Sequence, residues 1–139
     1  MKGKPLGDKE AIVRSSGAGA QGRGEQAEAL AAAYLARQGL GIIARNVRCR
    51  GGEIDLICLE RGTVVFVEVR LRSGDRYGGA GASITGHKQR RIVHAAQWWL
   101  GGAGMAHARR ACRFDAILLD RLDPRSLDWI RGAFDADGS

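Results

Sequence analysis

The sequence predicts a single α/β domain, in which helices flank a central mixed β-sheet and the elements run in the order α-β-β-β-α-β. Its 139 residues suit one domain with a sizeable hydrophobic core. Its contents of 45% hydrophobic and 27% charged residues are ordinary for a globular protein. Segments with a helical repeat of apolar residues occur together with segments rich in β-branched residues, which indicates a mixed architecture.

The first helix is predicted over about residues 24–38. Apolar residues recur there at helical spacing, and Gly39 supplies a C-terminal stop. The apolar stripe consists of Ala27, Leu30, Ala31, Tyr34 and Leu35. Residues 1–21 are rich in Gly, Ser, Lys and Ala without periodicity, so we expect a flexible tail before a domain at residues 22–134. Residues 135–139 would form a short C-terminal tail.

The remaining elements follow from β-branched runs, one further helical repeat and the turns between them. We predict strands over residues 40–49, 53–60, 63–72, 112–120 and 126–134, and a second helix over residues 87–100. Gly51-Gly52 and Arg61-Gly62 mark turns. Thr85 is placed to cap the second helix, which Gly101-Gly102 ends. Residues 73–84 are glycine-rich and polar, and we expect a mobile loop there.

The charge indicates a polyanionic partner without identifying it. The net charge is +7 and the pI is about 10.0. Between residues 45 and 91, ten Lys or Arg residues stand against five Asp or Glu residues, a local excess of +5. A merely solvated basic surface is the ordinary alternative. No apolar run is long enough for a membrane span, no signal sequence opens the chain, and three cysteines lack paired spacing, so we expect a soluble, cytoplasmic protein.

The middle hairpin is the most informative segment, because its turn fixes which residues face each other. If Arg61-Gly62 form a two-residue turn, the numbers of paired residues sum to 123. Asp55 then lies opposite Glu68, and Glu53 lies opposite Arg70. Side chains alternate between the two faces of a strand. One face therefore carries Glu53, Asp55, Ile57 and Leu59 with Arg70, Glu68, Phe66 and Val64, and the other carries Ile54, Leu56 and Cys58 with Val69, Val67 and Val65.

Asp55 and Glu68 are thus predicted to bring two like charges together, with Cβ atoms roughly 4.5–5.5 Å apart. Two carboxylates at that distance resist joint ionisation unless a cation joins them. Mg²⁺ or Mn²⁺ would suit their oxygen atoms. Alternatively, Arg70, Arg72 or Lys88 neutralises the pair in a plain ion-pair cluster. The residues alone leave both interpretations open, and a loop of three or five residues would separate the acids.

Several motifs occur in order along the chain. They are Gly24-Glu25, Asn46-Val47-Arg48-Cys49-Arg50, Gly52-Glu53-Ile54-Asp55-Leu56-Ile57, Val65-Phe66-Val67-Glu68-Val69-Arg70, Thr85 with Lys88-Gln89-Arg90-Arg91, and Arg113-Phe114-Asp115. With these motifs, about residues 22–134 resemble the bacterial YraN family. That family is assigned to the PD-(D/E)xK endonuclease-like superfamily, with archaeal Holliday-junction resolvases as its nearest functional relatives.

This resemblance implies a restriction-endonuclease-like core and a Mg²⁺- or Mn²⁺-dependent endonuclease that acts on DNA, in particular branched or structured DNA. Asp55 would be the superfamily's metal-binding aspartate, and Glu68 the acid of its (D/E)xK element. The main-chain carbonyl of Val69 would add a ligand. Glu25 would approach the metal from the first helix, directly or through water. Glu53 would support the metal ligands or pair with Arg70.

Arg70 departs from the superfamily pattern, which has a lysine at this position. A guanidinium can supply electrostatic stabilisation, but it stays protonated near neutral pH and takes up no proton. Either the metal generates hydroxide unaided, or Lys88 reaches in from the second helix, or the chain cleaves poorly. The alternative function is therefore a nucleic-acid-binding module that keeps the nuclease fold without catalysis.

Basic residues around the predicted site are candidates for phosphate contacts, which would make affinity depend on salt. They are Arg48, Arg50, Arg72, Arg76, Lys88, Arg90 and Arg91. Tyr77 is a candidate for stacking on a base. Asp115, inside a predicted strand, is expected to be a buried, hydrogen-bonded acid rather than a ligand. A homodimer would match a two-fold junction substrate, although no segment marks an interface.

Overall fold

The computed structural model describes residues 19–72 and 84–137. The helices are α1 (Gly19–Arg37) and α2 (Gly86–Leu100), and the strands are β1 (Gly41–Cys49), β2 (Gly52–Glu60), β3 (Thr63–Leu71), β4 (Cys112–Leu119) and β5 (Leu127–Phe134). The predicted α/β class and element order are confirmed. Nearly all of the predicted loop at residues 73–84 lies outside the described residues, and so do most of the predicted N-terminal tail and the last two residues.

Glycine and threonine set the ends of the helices. α1 begins at Gly19, inside the segment predicted as a tail, and ends before Gly39, whose φ of 98° is natural only for glycine. At the start of α2, the Thr85 hydroxyl accepts a hydrogen bond from the Lys88 amide at 3.1 Å, which confirms the predicted cap.

Neither of these helices combines the length and the apolar character that a membrane span needs.

The strands form one sheet in chain order, from β1 at one edge to β5 at the other. β3 and β4 run parallel, because α2 crosses over between them. The other neighbouring strands are antiparallel. The C-terminal end of β3 therefore lies beside the N-terminal end of β2 and close to the start of α2.

The hairpin of β2 and β3 has the predicted register. Its turn, Arg61-Gly62, has φ values of 50° and 87°, as the favoured two-residue hairpin turn requires. Paired residues follow the sum of 123 from the turn as far as Leu56 opposite Val67. Regular pairing ends there. Asp55 and Glu68 occupy the next position along the two strands, where the strands are free to part.

One helix covers each face of the sheet, so the core has two halves. The α1 half contains Ala27, Ala31, Ala32, Leu35, Leu56, Cys58, Val65, Val67, Ile117 and Leu119. The α2 half contains Ile54, Ile57, Val64, Phe66, Ile92, Ala95, Ala96, Trp99 and Phe114. A sheet that is covered on both faces explains why its central strands are apolar on both sides.

The prediction that Ile54 shares a face with Leu56 and Cys58 is wrong. Ile54 packs with Ile57 beneath α2, whereas Leu56 lies beneath α1. Residues 54 and 57 share a face only if the alternation of side chains is interrupted between them. The interruption falls at Asp55, where the regular pairing with β3 ends. The irregularity therefore belongs to the residue that the sequence marks as functional.

Asp115 is the structural acid that the sequence predicts. Its side chain is fully buried in β4. It accepts hydrogen bonds from the Arg113 guanidinium at 2.8 Å, the Trp129 ring at 2.9 Å and the Gly132 amide at 2.9 Å. With donors on both oxygens, this carboxylate ties β5 to β4 and needs no further ligand.

Candidate functional site

Asp55 and Glu68 meet where β2 and β3 part, at the end of the sheet away from the hairpin turn. The Asp55 Oδ2 atom accepts a hydrogen bond from the Val69 amide at 2.8 Å, so a side chain takes the place of a backbone partner. Glu68 is only 4% exposed. Its Oε1 atom is buried and has no hydrogen-bond partner among the described residues. A proton shared with Asp55, or a cation, would satisfy it.

Burial and mutual repulsion make both acids hard to ionise. Burial raises the pKa of Asp55 above its ordinary value. Burial first, and the neighbouring Asp55 charge second, raise the pKa of Glu68 to about 8. Without a bound cation, the two carboxyl groups therefore retain a proton between them near neutral pH. Strongly raised acid pKa values in a cleft are typical of functional sites, although ion-pair networks produce them as well.

A third acid, Glu28 of α1, joins the pair. Burial, followed by the charge of Asp55, raises the pKa of Glu28 to about 7, while a hydrogen bond from Asn46 and the charge of Arg48 oppose the shift. Asn46 has a φ of 51°, a conformation that asparagine tolerates better than most residues. The residue with this backbone conformation, Asn46, is thus the one whose side chain hydrogen-bonds to Glu28.

Glu28, and not the predicted Glu25, is the glutamate of α1 that lines the cleft with Asp55. Glu25 is exposed and is absent from the lining of the cleft that holds Asp55. It lines instead a smaller adjoining hollow with Glu28 and Arg48. A signal for Glu28 exists in the sequence, because it precedes the buried Ala31 by three residues and the next alanine by four, which places it on the buried side of α1.

Lys88 is the cation nearest to the acid pair among the described residues. The capped first turn of α2 holds it so that its Nζ lies 3.4 Å from Glu68 Oε2 and 3.8 Å from Glu53 Oε2. The predicted pairing of Glu53 with Arg70 is therefore replaced by pairing with Lys88. Lys88 thus reaches the acids from the second helix, as one of the three alternatives given for the arginine at position 70 requires.

The acids open into a cleft with a volume of about 660 Å³. Its lining includes Arg23, Glu28, Glu53, Asp55, Glu68, Val69, Arg70 and Lys88. Arg70 is exposed at its rim. The cleft thus has an acidic floor and a basic rim, an arrangement that suits a phosphate group approaching a cation.

Other predicted phosphate contacts are distributed more widely. Arg72 forms ion pairs with Asp120 and Asp128, so its guanidinium is directed toward β4 and β5, and its predicted role as a phosphate contact is not supported. Arg48 lies beside Glu28 in the adjoining hollow. Arg90 lines a separate pocket on α2.

The remaining candidates for nucleic-acid contacts are Arg50, Arg91, Arg76 and Tyr77. Arg50 is exposed and Arg91 is partly buried, and neither lines the cleft. The carbonyl oxygen of Arg50 lies 3.0 Å from the Nε2 atom of His94. Arg76 and Tyr77 fall outside the described residues. Of the predicted phosphate contacts in the described ranges, Lys88 is thus the one that lines the cleft, where Arg70, predicted as a catalytic-site residue, accompanies it.

The two carboxylates could hold a hard divalent cation that takes few protein ligands. Within residues 19–72 and 84–137, no three His, Cys, Asp or Glu side chains form a group that could hold a metal by themselves. Mg²⁺ typically binds through one or two carboxylates and keeps several water molecules. Asp55 and Glu68 supply two carboxylates, and Oε1 of Glu68 accepts no hydrogen bond from a described residue.

Fold and site together define a small α/β domain in which a buried and a partly buried carboxyl group meet at one end of the sheet. Residues 27–119 match the family described as "Uncharacterised protein family UPF0102", and the chain belongs to that family. This confirms the resemblance to the YraN family. The family's description names no reaction, so the activity has to be argued from the site.

Curated relatives support the same membership over most of the chain. A UPF0102 protein of Methylobacillus flagellatus is 50% identical over 113 residues, which cover 81% of this chain and 96% of the relative. A UPF0102 protein of Cupriavidus taiwanensis is 53% identical over 120 residues, with coverage of 86% and 87%. One from Dechloromonas aromatica is 53% identical over 115 residues, with coverage of 83% and 90%.

Proposed function

We propose that this chain is a metal-dependent endonuclease that hydrolyses phosphodiester bonds in DNA, in particular in branched or structured DNA. The observation that supports this most directly is the meeting of the partly buried Asp55 with the buried Glu68 in an open cleft, with Glu68 Oε1 left without a partner among the described residues. Two acids at this distance repel each other and destabilise the folded chain. Their position in a cleft rather than in the core is typical of a functional site. A basic chain suits a polyanionic substrate.

Each residue of the cleft has a distinct role in this proposal. Asp55 and Glu68 would hold Mg²⁺ or Mn²⁺, and the Val69 carbonyl remains a predicted further ligand. When bound, the metal would lower the pKa of a water molecule and stabilise the negative charge that develops on the phosphate. The Val69 amide fixes the orientation of the Asp55 carboxylate through its 2.8 Å hydrogen bond.

The cations of the cleft would act on the substrate phosphate. Lys88, at 3.4 Å from Glu68, would stabilise charge beside the acids, and Arg70, which lines the cleft, would contact a phosphate oxygen. Arg70 supplies charge but accepts no proton. Lys88 therefore takes the part that the superfamily pattern gives to a strand-borne lysine.

Cleavage assays on junction, flap and duplex DNA during titration with Mg²⁺ or Mn²⁺ test the proposal. Asp55→Asn and Glu68→Gln should each abolish metal-dependent cutting while DNA binding persists, because they remove a metal ligand and keep the shape of the side chain. Glu25→Gln is the matched control, since it neutralises an exposed acid of α1 outside the cleft, and it should cut like the parent chain. Undiminished cutting by the first two variants would show that the assigned site is wrong.

Two observations favour a second function. Lys88 already forms ion pairs with Glu68 and Glu53, and Arg70 stands where the superfamily has lysine. A nucleic-acid-binding module without catalysis would retain these features. It predicts salt-sensitive DNA binding without cutting at any metal concentration, and cutting that emerges in Arg70→Lys.

A further inference from the structure

A second basic surface lies at the opposite end of the sheet, around the turn between β2 and β3. We call it the hairpin-tip patch and define it as Arg61, Arg110, Arg113 and Arg131. Three of these arginines line a hollow of about 410 Å³ together with Gln38, Glu60 and Thr63. Arg110 lies next to it, because a Cβ atom added to Gly62 would be 3.6 Å from its Nη1 atom.

Two of the arginines are committed to internal contacts and build the floor of the patch. Glu60 Oε1 accepts hydrogen bonds from Arg113 at 2.8 Å and from Arg131 at 2.9 Å. Arg113 also donates to the buried Asp115, so its donors are largely used. Arg131 stays half-exposed, and its Cζ atom lies 3.8 Å above the Trp129 ring, which fixes its orientation.

The other two arginines, Arg61 and Arg110, are exposed and give the patch its net positive charge. The four arginines face only Glu60 and Asp115 in this network, so the patch carries a net charge of +2. Arg110 is not loose, because its Nε donates to His107 Nδ1 at 3.2 Å. Its guanidinium is therefore held beside the turn while it remains exposed to solvent.

Arg61 is an unexpected residue at its position. Its φ of 50° is in the left-handed region, where the first central residue of such a turn is usually Asn, Asp or Gly. An arginine there carries a backbone cost of on the order of 1 kcal/mol that asparagine would relieve. Strain observed at a residue in a built surface is a reason to look for a function. Arginine places a charged guanidinium group with several hydrogen-bond donors at the tip of the hairpin.

We propose that the hairpin-tip patch binds phosphate groups of a nucleic-acid backbone, as a second contact separate from the acidic cleft. Guanidinium groups match phosphate oxygens in a fixed, bidentate geometry, and the patch contains arginine rather than lysine. Arg61, in the turn that follows β2, is six residues from Asp55, which is about 20 Å at the rise of a strand. The inference rests on the proposed function, since it concerns the same substrate, and it extends the footprint to both ends of the sheet.

The test is the salt dependence of DNA binding, measured by fluorescence anisotropy of a labelled duplex in EDTA, where no metal-dependent cutting occurs. The double variant Arg61→Asn with Arg110→Gln removes both exposed charges and leaves the Glu60 network intact. Each lost phosphate contact lowers the slope of log K against log salt by about 0.9, so the slope should fall by about 2 between roughly 50 and 200 mM salt. Arg125→Gln is the control, because this arginine is 85% exposed, pairs with Asp123 and lies outside the patch.

The outcomes separate this inference from the proposed activity. A slope reduced in the double variant but not in Arg125→Gln supports the patch, whether or not the chain cuts DNA. An unchanged slope in the double variant overturns the patch, while metal-dependent cutting can still establish the cleft. If the parent chain shows no salt-sensitive binding to DNA, the patch is overturned together with the nucleic-acid function. The melting temperature of each variant checks that the fold is retained.

Discussion

Glu68→Gln should stabilise the chain at neutral to alkaline pH and remove much of the pH dependence of its stability. The folded chain holds a proton on Glu68 up to a pKa of about 8, whereas an ordinary glutamate has a value of 4.5. Between these values the folded state binds more protons than the unfolded state. The free energy of unfolding must therefore fall as the pH rises, and it is highest at or below the lower value.

The size of the effect follows from proton linkage. Each additional proton held by the folded chain lowers the free energy of unfolding by about 1.4 kcal/mol for every unit of pH increase. From about pH 5.5 to 7.5, one such proton amounts to roughly 3 kcal/mol in the parent chain. Glu28, whose pKa is also raised, contributes with the same sign. Glutamine cannot ionise, so the variant loses the Glu68 share and relieves the repulsion on Asp55.

Guanidinium chloride unfolding followed by tryptophan fluorescence, at a series of pH values in EDTA, measures the effect. Glu25→Gln is the control, because it removes an acid from an exposed position on α1. It should reproduce the slope of the parent chain. A parent stability that is flat or that rises over this range, or a Glu68→Gln slope equal to that of the parent, would refute the shared-proton account of the pair.

The same titration with Mg²⁺ separates proton sharing from metal binding. A metal that binds the two carboxylates displaces their shared proton and stabilises the folded chain by mass action, most strongly at high pH. We therefore expect Mg²⁺ to raise the stability of the parent chain near pH 8, to flatten its pH dependence, and to have little effect on Glu68→Gln. An equal response of both chains would contradict metal binding at this pair and leave the proton account standing.

Two further predictions concern α2. Lys88→Met should raise the pKa of Glu68 further, because the ammonium group 3.4 Å away lowers it. Carbon-13 NMR of the Glu68 carboxyl group measures the midpoint of its titration. A lower pKa in the variant would contradict the ion pair. Gly52→Ala should cost about 3 kcal/mol of stability, since the new methyl group would collide with the Arg91 carbonyl and lie 3.1 Å from the Ala95 amide. In Gly41→Ala, the control, the added atom meets only the Leu59 carbonyl at 4.0 Å, and denaturant unfolding compares the two.

The elements and the hairpin register are local properties, and the sequence alone determined them. Strand and helix patterns repeat over a few residues, and the Arg61-Gly62 turn selects one register by the hand of its backbone. The approach of Asp55 to Glu68 follows from that register. The cap at Thr85 is equally local, because its hydroxyl bonds an amide three residues away.

The tertiary structure decided which side chains join the acid pair. An apolar stripe predicts that α1 packs on the sheet, but the rotation of the helix, set by buried Ala31 and Leu35, selects Glu28 over Glu25. Likewise, the crossover through α2 brings Lys88 to Glu68 across twenty residues of sequence. Such contacts depend on the angle and depth at which two elements pack. The volumes of many side chains fix these quantities, and no single spacing in the sequence encodes them.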